Sequence, residues 1–237
     1  MSDVRSSVRA FAPAIALAAA LACGTSAHAA SLSEGFESVL PAGWTVVNNS
    51  APIGTTSWFQ GEVAHHFAAQ AGTAASYAAA DYFNGADHSD ISTWLITPTL
   101  SFNNGDVLSF FTRSTQLYPD RLEVRFSGVG GTDVGTTATS VGTFTTLLLA
   151  VNPGLTPMGY PDSWTHYSAT ISGLGGATSG AIAFRYFVTD GGSQGLNSEY
   201  IGIDTVTITA VPEPAVSLML ALGLGVLGLA RGRAARV

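Results

Sequence analysis

The chain contains almost no cysteine, because Cys23 is the single one among 237 residues. It lies in an N-terminal segment that has the features of a cleaved export signal, so the mature chain is predicted to have no disulfide and no cysteine-ligated metal site. Ala20-Leu21-Ala22 precedes Cys23 and places alanine where lipoprotein signals usually carry leucine, which disfavours lipidation. Core burial therefore has to stabilise the fold.

Lysine is absent altogether, and positive charge between Ser31 and Ala210 comes from four arginines only. The same stretch has fourteen acidic residues, so four positive and fourteen negative charges give a formal net charge of −10. This balance disfavours nucleic-acid binding, because neutralising phosphates requires clustered lysine and arginine. Cations, neutral glycans or a polysaccharide matrix fit such a surface better.

The first 29 residues are predicted to be a secretory signal peptide. Arg5 and Arg9 precede an apolar stretch, residues 10–23, and the small residues Ala27 and Ala29 form the exit. This order is the one that export requires, and it predicts cleavage after Ala29.

The C-terminal end contains an uncharged run, residues 215–230, that reads AVSLMLALGLGVLGLA. As a helix it would span about 24 Å, close to the hydrocarbon thickness of a membrane. Arg231 and Arg233 follow it at once. The basic end is expected to stay cytoplasmic, which places the preceding domain outside the cell.

Between these ends, residues 31–210 show no long apolar pattern at helical spacing, which predicts one nearly all-β domain. Residues 121–126 alternate most clearly, with Leu122, Val124 and Phe126 inward and three charged residues facing solvent. This number of strands in one domain favours a jelly-roll-like β-sandwich. Other strands are predicted near Trp44–Asn48, Trp94–Phe102, Val107–Thr112, Thr143–Val151, Trp164–Ile171, Ala181–Val188 and Tyr200–Ile208.

Two segments have no steady period and are expected to be irregular, namely residues 61–90 and 128–142. The apolar phase of the last strand changes near Asp204, which predicts a β-bulge or burial on both faces.

The tail has three parts in a specific order: the motif Val211-Pro212-Glu213-Pro214, the apolar run, and the arginine cluster with Arg231 and Arg233. It resembles a PEP-CTERM sorting signal. The resemblance implies export by an exopolysaccharide-producing Gram-negative bacterium, to the cell envelope, cell surface or extracellular matrix. It also implies processing by an exosortase, an integral-membrane cysteine protease.

Three motifs of the domain carry a second resemblance, which covers nearly all of residues 31–210. They make it similar to the choice-of-anchor J group, relatives of cleaved-adhesin and MAM-type jelly rolls. The motifs are Gly35-Phe36-Glu37 with Leu40-Pro41-Ala42-Gly43-Trp44, Ser92-Thr93-Trp94-Leu95-Ile96-Thr97-Pro98, and Tyr200-Ile201-Gly202-Ile203-Asp204.

The second resemblance implies a calcium ion between the first and last strands, with Glu37 and Asp204 as its acidic ligands. Calcium takes six to eight oxygens, so carbonyls or waters would have to complete the shell. Where relatives often carry a second acid, this chain has Thr205. The alternative is that backbone N–H groups satisfy both carboxylates.

Other candidate sites are weaker. Asp81, Asp87, His88 and Asp90 could ligate a cation but fit no EF-hand spacing. Gly191–Gly195 matches a nucleophile-elbow pattern, yet a strand is predicted after it and no histidine follows. His65-His66 lacks a third ligand nearby in sequence and is expected in an exposed loop. Five aromatic residues in or beside loops could stack on sugars or pack in the core: Trp58, Phe59, Tyr118, Tyr160 and Trp164.

No catalytic residue is predicted. The sequence is best interpreted as an exported, non-enzymatic surface or matrix protein, adhesive or associated with exopolysaccharide. A carbohydrate-binding module and a secreted hydrolase remain as alternatives, the latter requiring clustered, perturbed acids in a cleft.

Overall fold

A computed structural model describes residues 31–211 of the chain. The predicted signal-peptide exit at Ala27 and Ala29 lies outside these residues. So do Pro212, Glu213, Pro214, the apolar run 215–230, Arg231 and Arg233. Within the described residues, no helix is long and apolar enough to cross a membrane.

The described residues form thirteen β-strands and one short 3-10 helix, Tyr82–Asn84. The strands are β1 Ser31–Glu34, β2 Thr45–Asn48, β3 Ala51–Ile53, β4 Phe59–Gln60, β5 Ala78–Asp81, β6 Gly85–Ile96, β7 Leu100–Phe102, β8 Val107–Ser114, β9 Leu122–Ser127, β10 Thr146–Val151, β11 Thr165–Thr170, β12 Thr178–Gly191 and β13 Tyr200–Thr209.

All strand pairs are antiparallel and build two sheets. The first sheet has the order β11-β8-β13-β5-β4, with β1 also paired to β13. The second has the order β10-β9-β12-β6-β2, with β3 on β6 and β7 on β12. Alternate residues of β8 (Leu108, Phe110) and β9 (Leu122, Val124) face each other across the interior, as the period of two requires. Each such side chain contributes about 2 kcal/mol by burial.

A long segment before β5, residues 61–76, packs on the outer face of the first sheet; we call it the strap. Its Phe67 lies 5.2 Å from the ring of Tyr77 and 5.4 Å from that of Trp164. The three rings meet above Gly202, where a Cβ atom would lie 2.9 Å from each. A glycine at this position of β13 is therefore what lets the strap lie close to the sheet.

A second segment, residues 128–145, covers the outer face of the second sheet; we call it the cover loop. Its Val134 and Phe144 pack with Trp94 of β6 in a small apolar cluster. Beneath it, the guanidinium of Arg185 donates to the Glu123 carboxylate at 3.0 Å, while being only 1% exposed. Both outer faces of the sandwich are thus at least partly covered by polypeptide.

The strand directions define two ends of the sandwich. Ser31 pairs with Thr209, so the described chain begins and ends at one end, the tail pole. At the opposite end lie the 3-10 helix and the loops 115–121, 152–164 and 192–199, which together form the loop pole. Along β13, about 30 Å separate the two poles.

The predicted all-β sandwich is confirmed, as is the bulge near Asp204, where the β13–β8 register shifts between Asp204 and Thr207. The prediction of an irregular segment over residues 61–90 is wrong at its end, because β5 and the first half of β6 lie there. Glu123 and Arg125 point outward as predicted but are not solvated, since the cover loop buries them. Alternation in a sequence indicates which face of the sheet a side chain occupies, but it does not indicate whether another segment covers that face.

Candidate functional site

The loop pole carries a concentration of exposed apolar side chains. Leu117 is 73% exposed, Met158 77% and Leu196 72%, and Phe83 and Tyr118 are also exposed. The loops bearing them follow or precede neighbouring strand ends, because β13 pairs with β5 on one side and β8 on the other. Exposed apolar side chains gathered at one end of a fold mark an interaction site more often than scattered single residues do.

Two aromatic rings of the loop pole sit on the 3-10 helix. The rings of Tyr82 and Phe83 are 4.1 Å apart, and the Tyr82 N–H donates to the Glu199 carbonyl at 3.0 Å. Partial burial, with the nearby Glu199 and Asp81 carboxylates, raises the pKa of the Tyr82 hydroxyl. The hydroxyl therefore stays protonated and can donate a hydrogen bond.

A buried carboxylate holds these loops from below. One oxygen of Asp120 accepts the Tyr186 hydroxyl at 2.6 Å and the Glu199 N–H at 2.9 Å. The Asp120 carbonyl accepts the Asn152 amide at 2.9 Å, which ties in loop 152–164. Burial raises the pKa of Asp120 to about 7, and its other oxygen has no partner within residues 31–211.

Further hydrogen bonds fix the loops to one another. Ser198 N–H donates to the Pro119 carbonyl at 2.9 Å, and the Arg121 guanidinium donates to the Phe187 carbonyl at 2.6 Å. Asn152 also accepts the Thr156 N–H at 3.0 Å. The apolar side chains are consequently presented on loops with defined backbone positions, which lowers the ordering entropy that binding has to overcome.

Two other acids near the loop pole have raised pKa values. Asp81 accepts the Thr56 hydroxyl at 2.8 Å and the Phe83 N–H at 3.0 Å, and burial raises its pKa to about 6. Burial, reinforced by Asp81, raises the pKa of Glu199. Asp81 is thus the N-cap of the 3-10 helix, a structural role that sequence reasoning did not assign.

The structure brings the two predicted calcium ligands to the same segment of the strap. One Asp204 oxygen accepts the N–H groups of Gln70 and Ala71, at 2.8 and 3.1 Å. Glu37 is exposed, and one of its oxygens lies 3.5 Å from where a Cβ of Gly72 would be.

The donor set nevertheless fits a calcium ion poorly. The second Asp204 oxygen accepts the N–H and hydroxyl of Thr205, so both oxygens are engaged by protein donors. Within residues 31–211, no group of three or more acidic, histidine or cysteine side chains is arranged to hold a metal. The arrangement resembles a backbone-satisfied carboxylate more than a six- to eight-oxygen shell, and calcium stays a prediction.

The paired histidines are closer to a third group than the sequence indicated. His65 Nδ1 lies 3.0 Å and His66 Nε2 3.9 Å from one oxygen of Glu62 in the strap. His66 also stacks on Tyr200 with 3.6 Å between ring centroids. Burial of the ring lowers the pKa of His66, and the expected exposure of the pair is wrong for this residue, which is half-buried.

The other acidic candidates do not form one site. The carboxylate of Asp87 accepts a hydrogen bond of 3.0 Å from the Gln194 amide. His88 Nδ1 lies 2.9 Å from a carboxylate oxygen of Asp190. Both of these residues line an open cleft of about 270 Å³, as does Asp90. Asp81 has the different partners given above. Gly191–Gly195 ends β12 and enters a loop that leads to β13, so the strand-to-helix turn of a nucleophile elbow is not present there.

The aromatic candidates separate into core and surface. Trp58 and Tyr160 are buried. The indole N–H of Trp58 donates to the Thr93 carbonyl, and the hydroxyl of Tyr160 is hydrogen-bonded to that of Thr112. Trp164 donates to the Ala68 carbonyl of the strap at 2.8 Å, and Phe59 packs in the same cluster. Tyr118 alone of the five is exposed. Sequence reasoning missed Phe83, Leu117, Met158 and Leu196, since exposure of an apolar loop residue has no periodic signal.

No family model matches the chain, and no curated protein matches it in sequence. Solved structures do. The K1 cleaved adhesin domain of Lys-gingipain from Porphyromonas gingivalis W83 is similar with a TM-score of 0.54 and 21% identity, over 77% of this chain and 99% of that domain. The K3 domain of the same protein gives 0.53 and 22%, over 77% and 100%.

A family 11 carbohydrate-binding module from Clostridium thermocellum is more distant, with a TM-score of 0.41 and 13% identity over 78% of this chain and 96% of the module. At such identities similarity concerns the fold only. The fold that the domain motifs predicted is confirmed to this extent: residues 31–211 have the architecture of a cleaved adhesin domain.

Proposed function

We propose that this chain is an exported, non-enzymatic adhesive protein whose loop pole binds neutral polysaccharide at the cell surface or in the extracellular matrix. The observation that carries the proposal is the set of exposed aromatic and aliphatic side chains at the loop pole, including Phe83 and Tyr118. These residues lie on loops anchored to the sandwich and at the end farthest from the described chain termini.

The sheet faces are less suitable for a long ligand. The strap lies over part of the first sheet, and the cover loop buries the outer face of the second around Trp94. One pair remains accessible on the first sheet, where the half-buried ring of Phe111 lies 5.1 Å from the exposed ring of His166. It serves as the internal comparison below.

Charge favours a neutral ligand. The net charge of −10 over residues 31–210 repels acidic polysaccharides. Tyr82, Phe83 and Tyr118 offer apolar ring faces, and the Tyr82 hydroxyl and Glu199 carboxylate offer hydrogen bonds to sugar hydroxyls. A ring face with a few polar groups is the usual composition of a small-molecule or sugar site.

Export of the chain and processing of its C-terminal tail are part of the same proposal. Residues 1–29 would direct export. Residues 215–230 would insert in the membrane, and the tail 211–237 that contains them would be processed by an exosortase-type protease. Intact mass of the protein from its host, in membrane and medium, tests this. Recovery of uncleaved chain alone would make the tail a plain anchor.

The binding test uses the purified full-length chain and a panel of neutral bacterial exopolysaccharides. We expect Tyr118→Ser with Phe83→Ser to weaken binding at least tenfold, because ring contacts with sugars are lost. Val129→Ser is the matched control, since Val129 is 72% exposed but lies at the tail pole, and it should have no effect. Loss of binding with Phe111→Ser instead would place the ligand on the first sheet and contradict the proposal.

A hydrolase is the second candidate, favoured by the raised pKa values of Asp81, Asp120 and Glu199. Asp120 is fully buried and Asp81 caps the 3-10 helix, so structural roles account for two of the three. We expect no release of reducing ends from the polysaccharides that bind. Release that Glu199→Gln abolishes, with binding retained, would establish catalysis, because Glu199 is the one of the three acids without a structural role assigned above.

A further inference from the structure

The tail pole has a surface of its own, formed by three loops around the point where the chain leaves β13. They are the turn 103–106 before β8, the loop 128–132 after β9 and the loop 171–177 before β12, and we call them the base loops. All three lie beside the end of β13, where Val107 at the start of β8 pairs with Thr209.

Hydrogen bonds hold two of the base loops to each other and to the end of the last strand. The side chain of Asn104 donates to the Leu174 carbonyl at 2.7 Å and accepts the Leu174 N–H at 2.8 Å. The carboxylate of Asp106 accepts the N–H groups of Asn103 and Val211, at 2.8 and 3.2 Å. The position of this surface is therefore fixed relative to Val211.

The tips of two base loops project into open space. A Cβ atom added to Gly131, Gly173, Gly175 or Gly176 would meet no atom within 4 Å, which is true of no other glycine among the described residues. Beside the first of these tips, Val129 is 72% exposed. These tips are consequently free to contact a surface brought against the tail pole.

The base loops are poor in charge. Asp106 is their single charged residue, and it is fully buried and accepts two backbone N–H groups. The acids that adjoin this end in sequence, Glu34 and Asp133, accept the N–H groups of Phe36 and Gly135. In a domain with a net charge of −10, the base loops are thus a nearly neutral surface, which an anionic bilayer does not repel.

The sequence after Val211 indicates which surface the base loops meet. The uncharged run that is predicted to enter the membrane begins at Ala215, four residues farther along the chain. Four residues span at most about 14 Å, and the headgroup region itself occupies about 5 to 8 Å of that distance. Insertion of the run therefore holds the base loops less than about 10 Å from the headgroups, even with the link fully extended.

We propose that the base loops rest on the headgroup layer of the bilayer that holds the tail, with Val129 and the glycine-rich tips at the lipid surface. Small and apolar uncharged residues enter this region without the cost of desolvating a charge. The proposal rests on the insertion of residues 215–230, which is part of the proposed function, and is independent of what the loop pole binds.

This arrangement sets the orientation of the domain. With the base loops on the lipid, β13 leads away from the membrane, and the loop pole lies about 30 Å above the base loops. The exposed apolar side chains of the loop pole then face outward, away from the cell.

The test uses the full-length chain in a Cys23→Ser background, reconstituted in vesicles of phosphatidylethanolamine with a minor fraction of phosphatidylglycerol. Single cysteines carry an environment-sensitive fluorophore, and nitroxide-bearing lipids serve as quenchers. Val129→Cys and Leu196→Cys are a matched pair, because each residue is 72% exposed and they lie at opposite poles. Ala221→Cys, within the apolar run, reports separately on insertion of the tail.

A nitroxide on the lipid headgroup is expected to quench the label at Val129 and not the label at Leu196. A nitroxide at the end of the acyl chain should quench the label at Ala221. Quenching at Ala221 without quenching at Val129 would leave tail insertion intact and overturn this proposal alone. Without quenching at Ala221, tail insertion itself fails, and this proposal fails with it.

A second copy of the chain is the other occupant that the experiment can detect. It would shift the emission at Val129 to shorter wavelength with no quenching by lipid nitroxides, and that result would overturn the proposal.

A charge variant gives an independent check. Gly175→Asp with Gly176→Asp adds two acids where an added Cβ meets no atom, so the fold should be retained. We expect headgroup quenching at Val129 to fall to about half, because the anionic lipid repels the new acids. Gly175→Ser with Gly176→Ser is the uncharged control and should quench as the parent does. Equal quenching in the two double variants would show that loop 171–177 is not at the lipid, and would overturn the proposal.

Discussion

The fully buried carboxylate of Asp120 accepts a hydrogen bond of 2.6 Å from the hydroxyl of Tyr186. The same oxygen accepts the Glu199 N–H, so one carboxylate links the interior of the second sheet to the loop before β13. Neither hydrogen bond comes from a cationic group, and burial opposes ionisation. This explains why the pKa of Asp120 rises from 3.8 to about 7.

Stability is expected to depend on pH through Asp120. Because its folded pKa exceeds its unfolded one, the folded state binds a proton more tightly, and stability falls as pH rises from about 4 to about 7. Asp120→Asn keeps the acceptor oxygen but cannot ionise. The free energy of unfolding of the variant relative to wild type, from urea titrations, should increase by roughly 2 to 4 kcal/mol between pH 4 and pH 8. If the free energies of unfolding of the two proteins changed in parallel with pH, the prediction would be wrong, because ionisation of Asp120 would not destabilise the fold.

Removing one partner of the buried Glu123–Arg185 ion pair is expected to destabilise the protein strongly. Burial alone would raise the pKa of Glu123, but Arg125 and Arg185 outweigh it and the pKa is lowered. Glu123→Gln leaves Arg185 buried without a counter-charge, which costs about 3 to 5 kcal/mol at pH 7. The cost should shrink as pH falls below the folded pKa of Glu123, since wild type then loses the same charge.

Arg125→Gln is the matched control for this pair, because it removes a less buried partner of the same carboxylate. Denaturant unfolding should give a smaller loss than for Glu123→Gln, because the Glu123 carboxylate keeps Arg185 as a charged partner. If Glu123→Gln costs no more than Arg125→Gln, Arg185 is satisfied by Ser92 and the Ala138 carbonyl alone.

Gly202→Ala should loosen the strap. Its Cβ would lie 2.9 Å from carbon atoms of Phe67, Tyr77 and Trp164, and overpacking of this kind costs roughly 1 to 3 kcal/mol. Gly176→Ala is the control, because nothing lies within 4 Å of the added carbon. Limited proteolysis within residues 61–76 should accelerate in the first variant only, and equal rates would place the strain elsewhere.

A calcium titration distinguishes between two roles of Asp204, namely an acceptor of backbone N–H groups and a calcium ligand. Because its oxygens already accept the N–H groups of Gln70, Ala71 and Thr205, we expect millimolar calcium to leave the thermal midpoint within about 1 °C of its value in chelator. Asp204→Ala should lower the midpoint in both conditions. A rise with calcium that Glu37→Gln abolishes would instead establish the ion site that the family resemblance implies.

Much of the strand pattern could be predicted from sequence because alternate burial has a signature. Strand β8, Val107–Ser114, alternates between half-buried and buried residues along its length. The sequence pattern predicts this strand near Val107–Thr112, two residues short of its observed end. The signature fails where both sides of a strand are buried. Ala78, Ala79 and Ala80 of β5 are all buried, so their sequence shows no alternation.

The site was less predictable than the fold. Asp81, Asp120 and Glu199 are far apart in sequence, and only the pairing of β13 with β5 and β8 brings their strand ends together. Asp120 has no sequence feature that distinguishes it from the other acids of the domain. Its role depends on Tyr186, which reaches it from another strand.

The position of β13 also has a mechanical consequence. The strand leads directly to Val211 at the tail pole and begins at Tyr200 beside the loop pole, with ladder partners on both sides. A ligand held at the loop pole and a tail held at the other end would pull along this strand. Since the ladder bonds lie perpendicular to it, tension loads many of them together in shear and does not peel them apart one after another.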